Sequence, residues 1–286
     1  MKIGVVMDPI ESINFKKDST LAMMLEAQSR KHQLFYVTPD SLYINQKGAF
    51  AIAKTLQVKN DPTGWFDFKE EKQIKLSELD VILMRQDPPF NSNYIYNTYV
   101  LESAEKEGVL VVNKPSSLRD CNEKVFATEF PECCTPFLVT SDPNLLKSFI
   151  EDHGDTVIKP LDGMGGSSIF RLRHSDPNLN VILETITESF TTKVMIQTYI
   201  SEITDGDKRI LLLNGNPMDA AVARVPAEGE LRGNLAAGAS AVARSLTEKD
   251  LWICEQVGPK LKELGLVLVG LDIIGDYLTE INVTSP

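Results

Sequence analysis

Short apolar runs alternate with longer amphipathic segments in the first third of the chain. The runs that predict strands are Ile3–Met7, Leu34–Thr38, Leu79–Met84 and Val109–Val112. Between them, Asp18 can cap one helix, and residues 93–107 are expected to form another. Continuous apolar strands separated by helices indicate a parallel sheet buried on both faces. Ligands of such sheets bind beyond the strand carboxyl ends, where Asp8 and Arg85 are expected.

The pattern changes after residue 115. A helix from about Ser117 to Thr128 is expected to carry Lys124, and beyond it short strands follow one another closely. Asn214-Gly215 and Gly275-Asp276 are hairpin signals between such strands. Closely spaced strands with interspersed helices are typical of an α+β region. We therefore expect a domain boundary near residue 120.

Composition narrows the class of protein. A chain of 286 residues that is 43% apolar and 24% charged is expected to be globular, with two domains. Its net charge of −11 opposes a nucleic-acid or membrane-surface partner, because such binding draws on basic surfaces. The longest uncharged apolar stretch, residues 265–271, is far too short to span a bilayer. The first residues do not resemble a signal or transit peptide, so the expected location is the cytoplasm.

A glycine-rich segment from Lys159 to Ser168 lies between two predicted strands. It is not a Walker loop, since no Gly-Lys-Ser/Thr follows, and not a dinucleotide fingerprint, since a strand comes next instead of a helix. Glycines let backbone N–H groups approach phosphate oxygens, so a strand–glycine loop–strand unit can act as a flap over a nucleotide. The alternative is an ordinary glycine-rich surface turn.

The last strands carry a candidate metal site. Glu280 and Asn282 are two residues apart, so both point to one face, and Asp272 lies on the neighbouring predicted strand. Such hard oxygen ligands suit Mg²⁺. A strict two-residue turn would pair Asp272 with Thr279, so we expect a turn with an odd number of residues, most simply 275–277. The alternative is a solvated outer face of a hairpin.

Basic residues on ordered elements form a candidate anion site in this acidic chain. The set is Lys124, Lys159, Lys208, Arg209 and Arg224. Arg209 and Arg224 flank the Asn214-Gly215 turn at similar distances and could face each other across the hairpin. Side-by-side cations repel, which indicates an anion between them. Exposed arginines paired with ordinary carboxylates are the alternative.

Residues 225–242 form a long segment rich in small residues and without periodicity. Segments of this length without structure of their own are usually lids or linkers. A linker here would interrupt a domain, so a substrate lid that carries Arg232 and Asn234 is favoured.

Several motifs along the chain together carry a family resemblance. They are Val6–Ile10, Asp80–Arg85, Asp87–Phe90, Asn113–Pro115, Leu118–Lys124, Lys159–Gly166, Asp205–Arg209, Arg232–Gly238, Val269–Asp276 and Leu278–Pro286. Over essentially its whole length the chain resembles the bacterial-type glutathione synthetases of the ATP-grasp superfamily. The resemblance implies an α/β fold, with a Rossmann-like parallel-sheet substrate domain at 1–122 and an α+β ATP-grasp domain at 123–286. Within the latter, a lid subdomain (123–195) and a central subdomain (196–286) clasp the nucleotide.

The family implies an ATP-dependent ligase that joins γ-glutamylcysteine to glycine through an acyl phosphate. It also implies Mg²⁺, with Mn²⁺ as an alternative, a homotetramer, and small-molecule partners rather than nucleic acid or membrane. For the nucleotide, the family implies phosphate contacts by Lys124 and Lys159, a flap formed by Gly163, Met164, Gly165, Gly166 and Ser167, adenine recognition by the backbone of Gln197, Thr198, Tyr199 and Ile200, and a ribose contact by Asp207. Arg209 and Arg224 are implied at the transferring phosphate, and Asp272, Glu280 and Asn282 as metal ligands. Arg85, Arg232 and Asn234 are implied as substrate contacts.

The sequence departs from the family pattern in two places. It ends at Pro286, directly after the metal strand, whereas relatives continue into a helical stretch that helps to bind the peptide substrate. Residues 238–243 replace a more glycine-rich and charged lid segment. Two other readings stay open. One is another ATP-grasp carboxylate–amine ligase, of the D-alanine–D-alanine or glutamate-adding type, and the other is a non-catalytic ATP-binding regulator.

Overall fold

The computed structural model describes residues 1–163, 167–227 and 240–286. The chain divides into two compact units. The first holds residues 1–120, 264–266 and 285, and the second holds 121–263, 267–284 and 286. Each unit is built on its own sheets, and the candidate site residues distribute unequally between them.

The first unit is a six-stranded sheet with helices. Its elements are β1 (Lys2–Met7), α1 (Ser19–Ser29), β2 (Gln33–Asn45), β3 (Gly48–Val58), β4 (Phe66–Lys75), β5 (Val81–Arg85), α2 (Ser92–Lys106), β6 (Leu110–Val112) and α3 (Pro115–Asp120). The strand order is β4-β3-β2-β1-β5-β6. Strand β1 pairs in parallel with β2 and β5, and β5 with β6. Five consecutive β1 residues are buried, as expected of a strand covered on both faces.

The parallel part confirms the prediction for the start of the chain, but two strands were not predicted. Strands β3 and β4 add to β2 antiparallel and make the sheet mixed. Strand β4 has the sequence FDFKEEKQIK. Six of its ten residues are exposed, including every residue of the run 69–73. Such an edge strand has little apolar signal, because only one of its faces packs on the core.

Helix α1 begins where the sequence predicts. The Asp18 side chain accepts a hydrogen bond of 2.6 Å from the backbone N–H of Leu21, which satisfies one of the free donors of the first turn. Leu21 and Met24 then pack against strand residues of β1 and β2 in a buried apolar cluster. This packing holds α1 against the sheet, next to the carboxyl end of β1.

The second unit contains two antiparallel sheets. Its elements are β7 (Phe137–Thr140), α4 (Pro143–His153), β8 (Asp155–Pro160), β9 (Phe170–Arg173), α5 (Leu179–Ile186), β10 (Val194–Thr198), β11 (Asp207–Leu213), β12 (Asn216–Val225), β13 (Ser240–Ser245), α6 (Glu248–Glu263), β14 (Leu268–Ile274) and β15 (Tyr277–Asn282). One sheet has the order β7-β10-β8-β9, and the other has the order β13-β12-β11-β14-β15. We call them the lid sheet and the central sheet.

Two predictions for the chain after residue 115 were wrong in detail. The helix expected at 117–128 ends at Asp120 as α3, and Lys124 lies in a turn. There the Asn122 side chain accepts from the N–H groups of Lys124 and Val125, at 3.0 Å each, which competes with helical bonding. The segment predicted to be aperiodic up to residue 242 already contains β13 from Ser240 onward.

The two hairpin signals both mark tight turns. Asn214 and Gly215 have positive φ angles of 48° and 70° and connect β11 to β12, as a primed two-residue turn requires. The turn between β14 and β15 also has two residues, since Ile274 pairs with Tyr277. The expected odd-numbered turn is therefore wrong. A β-bulge at Thr279 shifts the register instead and pairs Asp272 with Glu280.

Candidate functional site

A row of charged side chains crosses the central sheet. Arg209 of β11 pairs with Asp272 of β14, which in turn pairs with Glu280 of β15. Directly opposed residues of antiparallel strands point to the same face. The bulge at Thr279 is what completes this row, because without it Thr279 would stand opposite Asp272.

Arg209 binds Asp272 with two guanidinium nitrogens. Nε donates to Oδ1, and Nη2 donates to Oδ2 at 2.9 Å. The arginine side chain reaches across Gly270, where a Cβ atom would lie 2.7 Å from its Cδ. An isolated glycine inside a strand marks a close approach of this kind. Gly270 therefore makes room for the Arg209–Asp272 pair.

Arg224 shares the same carboxylate. Its Nη2 lies 2.9 Å from Asp272 Oδ2 and also donates to Asp207. Arg224 stands opposite Asp207 on β11, and Arg209 opposite Val222, so the two arginines do not face each other as predicted. Both arginines are instead paired with a carboxylate of the chain, Asp272, as in the alternative, except that the group is buried.

Burial and the arginines set the charge states in this cluster. Asp272 is only 4% exposed, and burial opposes its ionisation, but Arg209 and Arg224 outweigh burial and lower its pKa to about 2. Burial and the nearby Asp272 charge raise the pKa of Asp207 to about 7. Within the described residues, Asp207 Oδ1 and Arg224 Nε are buried without a hydrogen-bond partner. The cluster thus keeps one acceptor and one donor for a further polar group.

Two buried lysines lie beside the acidic end of the row. Lys159 Nζ is 3.5 Å from Glu280 Oε1 and donates to the Thr279 carbonyl at 3.2 Å. Lys124 Nζ lies 3.7 Å from the same Glu280 oxygen and donates to Glu123. Each lysine is 4% exposed. The sheet edge therefore presents alternating positive and negative groups in a largely desolvated setting.

Glu123 was not singled out from the sequence. Burial and the Glu280 charge raise the pKa of Glu123. Burial alone would lower the pKa of Lys124, but the charges of Glu280 and Glu123 raise it above its ordinary value. The Glu123 backbone carbonyl also accepts from Ile281 N–H at 2.8 Å, which ties the turn to β15. The one signal in the sequence is an acidic residue directly before a candidate lysine.

A shallow cleft lies next to Lys124. Its walls combine apolar and polar side chains from the turn after α3, the lid sheet and β15. They are Lys124, Ala127, Thr128, Cys134, Thr135, Phe137, Met195, Gln197, Leu278 and Thr279. The cleft therefore combines apolar walls with polar side chains.

The predicted adenine-reading segment lies where β10 leaves the lid sheet. Thr198 N–H donates to the Pro136 carbonyl at 3.0 Å, and Tyr199 N–H donates to the Asp155 carbonyl at 2.9 Å. Gln197 lines the cleft, and Ile200 is buried. The backbone of this segment is thus fixed from both sides at the cleft.

The glycine loop joins β8 to β9, as predicted, and these strands pair antiparallel. Gly163 has a φ of +103° that favours glycine, and both it and Ser167 are exposed. The predicted flap residues Met164, Gly165 and Gly166 lie outside the described residues, as do the predicted substrate contacts Arg232 and Asn234.

Lys208 does not join the site. It lies between Asp207 and Arg209 on β11, so its side chain points to the other face of the central sheet. There Nζ contacts Asp250 at 2.5 Å and donates to the Gly275 carbonyl at 3.0 Å. The alternation along β11 separates a structural lysine from two site residues.

Arg85 ends β5 in the first unit and is buried among hydroxyl groups. Nε donates to Thr20 at 3.0 Å and Nη2 to Ser19 at 3.1 Å, both at the start of α1. Burial lowers its pKa from the ordinary value. Nearby, Asp8 accepts from the backbone N–H of Asp87 at 2.7 Å. Asp8 and Arg85 therefore both lie at the carboxyl edge of the parallel strands, as expected.

The candidate metal ligands combine two carboxylates with one amide. Asn282 Nδ2 lies 3.2 Å from Asp272 Oδ2, and Glu280 pairs with Asp272 in register. In the part of the chain that the structure describes, no cluster holds three or more His, Cys, Asp or Glu side chains in a metal-binding arrangement.

The described helices also include none that is long and apolar enough to cross a membrane.

The fold is that of ATP-grasp ligases. The chain is similar to the crystal structure of a D-cycloserine synthetase, with a TM-score of 0.68 and 13% identity, covering 100% of this chain and 92% of the other. It is also similar to an ATP-grasp ligase in complex with a minimal precursor, with a TM-score of 0.62 and 17% identity, covering 99% and 91% of the two chains.

The family follows from the sequence comparisons. Residues 1–119 match the N-terminal domain of prokaryotic glutathione synthetase, and residues 123–286 match its ATP-grasp domain. The glutathione synthetases of Pseudomonas putida and Vibrio parahaemolyticus are 58% and 56% identical to this chain over all 286 residues, which span 90% of each relative. The chain belongs to the prokaryotic glutathione synthetase family.

Proposed function

We propose that the charged face of the central sheet is the active site at which this chain makes glutathione. Family membership makes the chain an ATP-dependent ligase. The substrates in the proposal are ATP, γ-glutamylcysteine and glycine, and the products are glutathione, ADP and phosphate. The observation that carries the proposal is the row Arg209–Asp272–Glu280 with Arg224 beside it, buried next to two lysines.

The reaction needs charge neutralisation more than a protein nucleophile. A carboxylate is a poor electrophile, so the γ-phosphoryl group of ATP is first transferred to it, which gives an acyl phosphate and ADP. The glycine amine then attacks the acyl carbon, and the tetrahedral intermediate expels phosphate as the amide forms. In-line positioning and fixed positive charge are what a protein contributes to such steps.

The cationic residues are proposed to neutralise the phosphates. Lys124 and Lys159 are buried beside the cleft, and each places its ammonium group within 4 Å of Glu280, so they can hold phosphate oxygens. Arg209 and Arg224 are proposed to contact the transferring group. The unpartnered Arg224 Nε is a donor that this group can take up.

The nucleotide base and sugar are assigned to neighbouring groups. The cleft between β10 and β15 is proposed to take adenine, which the backbone of Gln197, Thr198, Tyr199 and Ile200 reads. Asp207 is kept as the ribose-side residue, since its unpartnered Oδ1 can accept a hydrogen bond from a hydroxyl group.

A divalent cation fits the oxygen donors on this face. Asp272, Glu280 and Asn282 would hold Mg²⁺, or Mn²⁺, since the two carboxyl groups are hard oxygen ligands and Asn282 adds an amide oxygen. When bound, the cation neutralises phosphate charge. Asp272 must then divide its oxygens between the cation and the arginines.

Substrate contacts and covers complete the proposal. Arg85 is assigned to γ-glutamylcysteine, because a buried guanidinium at the carboxyl edge of a parallel sheet suits a carboxylate. The flap 163–167 and the lid that carries Arg232 and Asn234 are proposed to exclude water, which would hydrolyse the acyl phosphate. We also propose a homotetramer in the cytoplasm. Its partners are small molecules alone, and the net charge of −11 supports the exclusion of nucleic acid and membrane surfaces.

The test is phosphate release measured with all combinations of substrates. Release that needs ATP, γ-glutamylcysteine and glycine together is expected, with glutathione identified by mass spectrometry. A D-alanine–D-alanine or glutamate-adding ligase would release phosphate with its own acceptor instead, and a non-catalytic ATP-binding regulator would release none. Either of the last two results would refute the proposal.

A further inference from the structure

An ion-pair network on the lid sheet converges on the predicted adenine-reading segment. The Asp155 carboxylate at the start of β8 accepts from Arg171 at 2.8 Å and 2.5 Å. It also accepts from Arg173 at 2.9 Å. Both arginines belong to β9, where Arg173 is the register partner of Asp155. One carboxylate thus gathers two cations at this end of the lid sheet.

The same two residues hold Tyr199. The Asp155 carbonyl accepts from Tyr199 N–H at 2.9 Å, and the Arg171 guanidinium carbon lies 3.6 Å from the centroid of the Tyr199 ring. Asp155 therefore acts on Tyr199 in two ways, through its own backbone and through the arginine that it orients. A bidentate carboxylate fixes the plane of a guanidinium, and a fixed plane stacks better on a ring.

Tyr199 is the first residue after β10 ends at Thr198. The position of Tyr199 fixes that of the next residue, Ile200. The preceding residue, Thr198, is held by a hydrogen bond from its N–H to the Pro136 carbonyl. Reading a base by backbone N–H and C=O groups demands that these groups be placed within a few tenths of an ångström. The network is anchored at the point where β10 ends.

We propose that Asp155 and Arg171 are positioning residues for adenine recognition: they fix Tyr199 and thereby the backbone that reads the base. This inference rests on the proposed function, in which residues 197–200 contact adenine. Neither side chain touches the nucleotide in the proposal. Both set its affinity and its base selectivity through Tyr199.

The experiment measures calorimetric binding of ADP and of IDP, each with Mg²⁺. IDP replaces the adenine amino group by a carbonyl and its N1 acceptor by an N–H, so backbone reading rejects it. Asp155→Ala is expected to weaken ADP binding about fivefold, since a half-exposed ion pair and a cation–π contact are lost together. IDP binding is expected to change little, so that the preference for ADP falls.

Three further variants separate positioning from general stability. Arg171→Met removes the charge and is expected to lower the ADP preference, whereas Arg171→Lys keeps a cation near the ring and is expected to recover part of it. Glu151→Ala, which removes an exposed acidic partner of His174 in the same unit, is the matched control and is expected to leave both affinities unchanged.

The ligation reaction supplies a second readout. Asp155→Ala is expected to retain kcat at saturating ATP. Its KM for ATP is expected to rise, because only binding shared by the ground state and the transition state is lost. Equal loss of ADP and IDP affinity in Asp155→Ala and Arg171→Met overturns the positioning role and leaves the proposed function standing. Failure of the unaltered protein to bind ADP overturns both.

Discussion

Arg209 and Asp272 are register partners on neighbouring strands and are joined through both nitrogens of one edge of the guanidinium. Arg224 contacts the same carboxylate at 2.9 Å. The two arginines assigned to the transferring phosphate are therefore held together by one buried aspartate. Substitutions that unbalance this triad test both its structural role and its affinity for anions.

Asp272→Asn is expected to destabilise the protein by about 3 kcal/mol, because two buried guanidinium groups lose their shared carboxylate. An added anion can replace part of that charge, so sulfate is expected to raise the Tm of the variant more than that of the unaltered protein. Thermal unfolding over a sulfate series at constant ionic strength measures this difference. Equal shifts for the two proteins would show that the arginines do not bind the added anion.

Arg224→Ala is expected to lower turnover by about 10²–10³, the usual cost of losing one charge-stabilising contact to a transferred group. Arg224→Lys keeps the charge but cannot bridge Asp207 and Asp272 through one planar group, so intermediate turnover is expected. Steady-state phosphate release measures kcat for both. Arg244→Ala, on the exposed strand β13 of the same sheet, is the control. Near-normal turnover of Arg224→Ala would refute the assigned role.

Gly270→Ala is expected to displace Arg209 from Asp272, since the added Cβ would lie 2.7 Å from Arg209 Cδ. Overpacking of this kind lowers the free energy of unfolding by about 1–3 kcal/mol. The misplaced arginine is also expected to lower kcat. Chemical denaturation and steady-state kinetics measure the two effects. Gly64→Ala, where no atom lies within 4 Å of the added Cβ, is expected to be neutral in both.

Asp155→Asn provides a prediction for pH. Hydrogen bonds and charge from Arg171 and Arg173 lower the pKa of Asp155 to about 2, against about 3.9 in an unfolded chain. A depressed carboxyl pKa stabilises the fold fully above the unfolded pKa, and the contribution is lost as the pH falls through the folded pKa. The unaltered protein is therefore expected to have a higher free energy of unfolding than Asp155→Asn at pH 6. This difference is expected to disappear between about pH 4 and pH 2.

Urea unfolding at several pH values measures that gap. Glu151→Gln serves as the comparison, because its partner His174 lies in an exposed pair. A gap for Asp155→Asn that stays constant down to pH 2 would contradict a role for the ionised carboxylate.

Features that depend on local chemistry could be predicted from the sequence. The strand period of two places Glu280 and Asn282 on one face, and Asn214-Gly215 allows the positive φ angles that its turn requires. The alternation of apolar strands and helices at the start of the chain likewise predicts a parallel sheet, which β1, β2, β5 and β6 form. Each of these follows from the residue pattern within short segments.

Three features could not be predicted, because they depend on a competing local turn, on a strand with little apolar signal and on pairing between distant segments. The Asn122 turn ends a segment whose composition suits a helix, and it takes Lys124 off that helix. The antiparallel edge strand β4 is too charged to stand out. The carboxylate paired with Arg209 and Arg224 is Asp272, more than 45 residues beyond either, and only the register of three strands brings them together. The roles of these residues stay predictions until the kinetic tests are made.

The extra residue at Thr279 has a consequence for how this hairpin can change over evolution. Side chains on a strand alternate, so adding or removing one position between Ile274 and Glu280 turns both Glu280 and Asn282 to the opposite face. Changes in length at this tip are therefore tolerable only in steps of two, or when one gain is cancelled by one loss. Substitutions at Gly275 or Asp276 face no such parity rule.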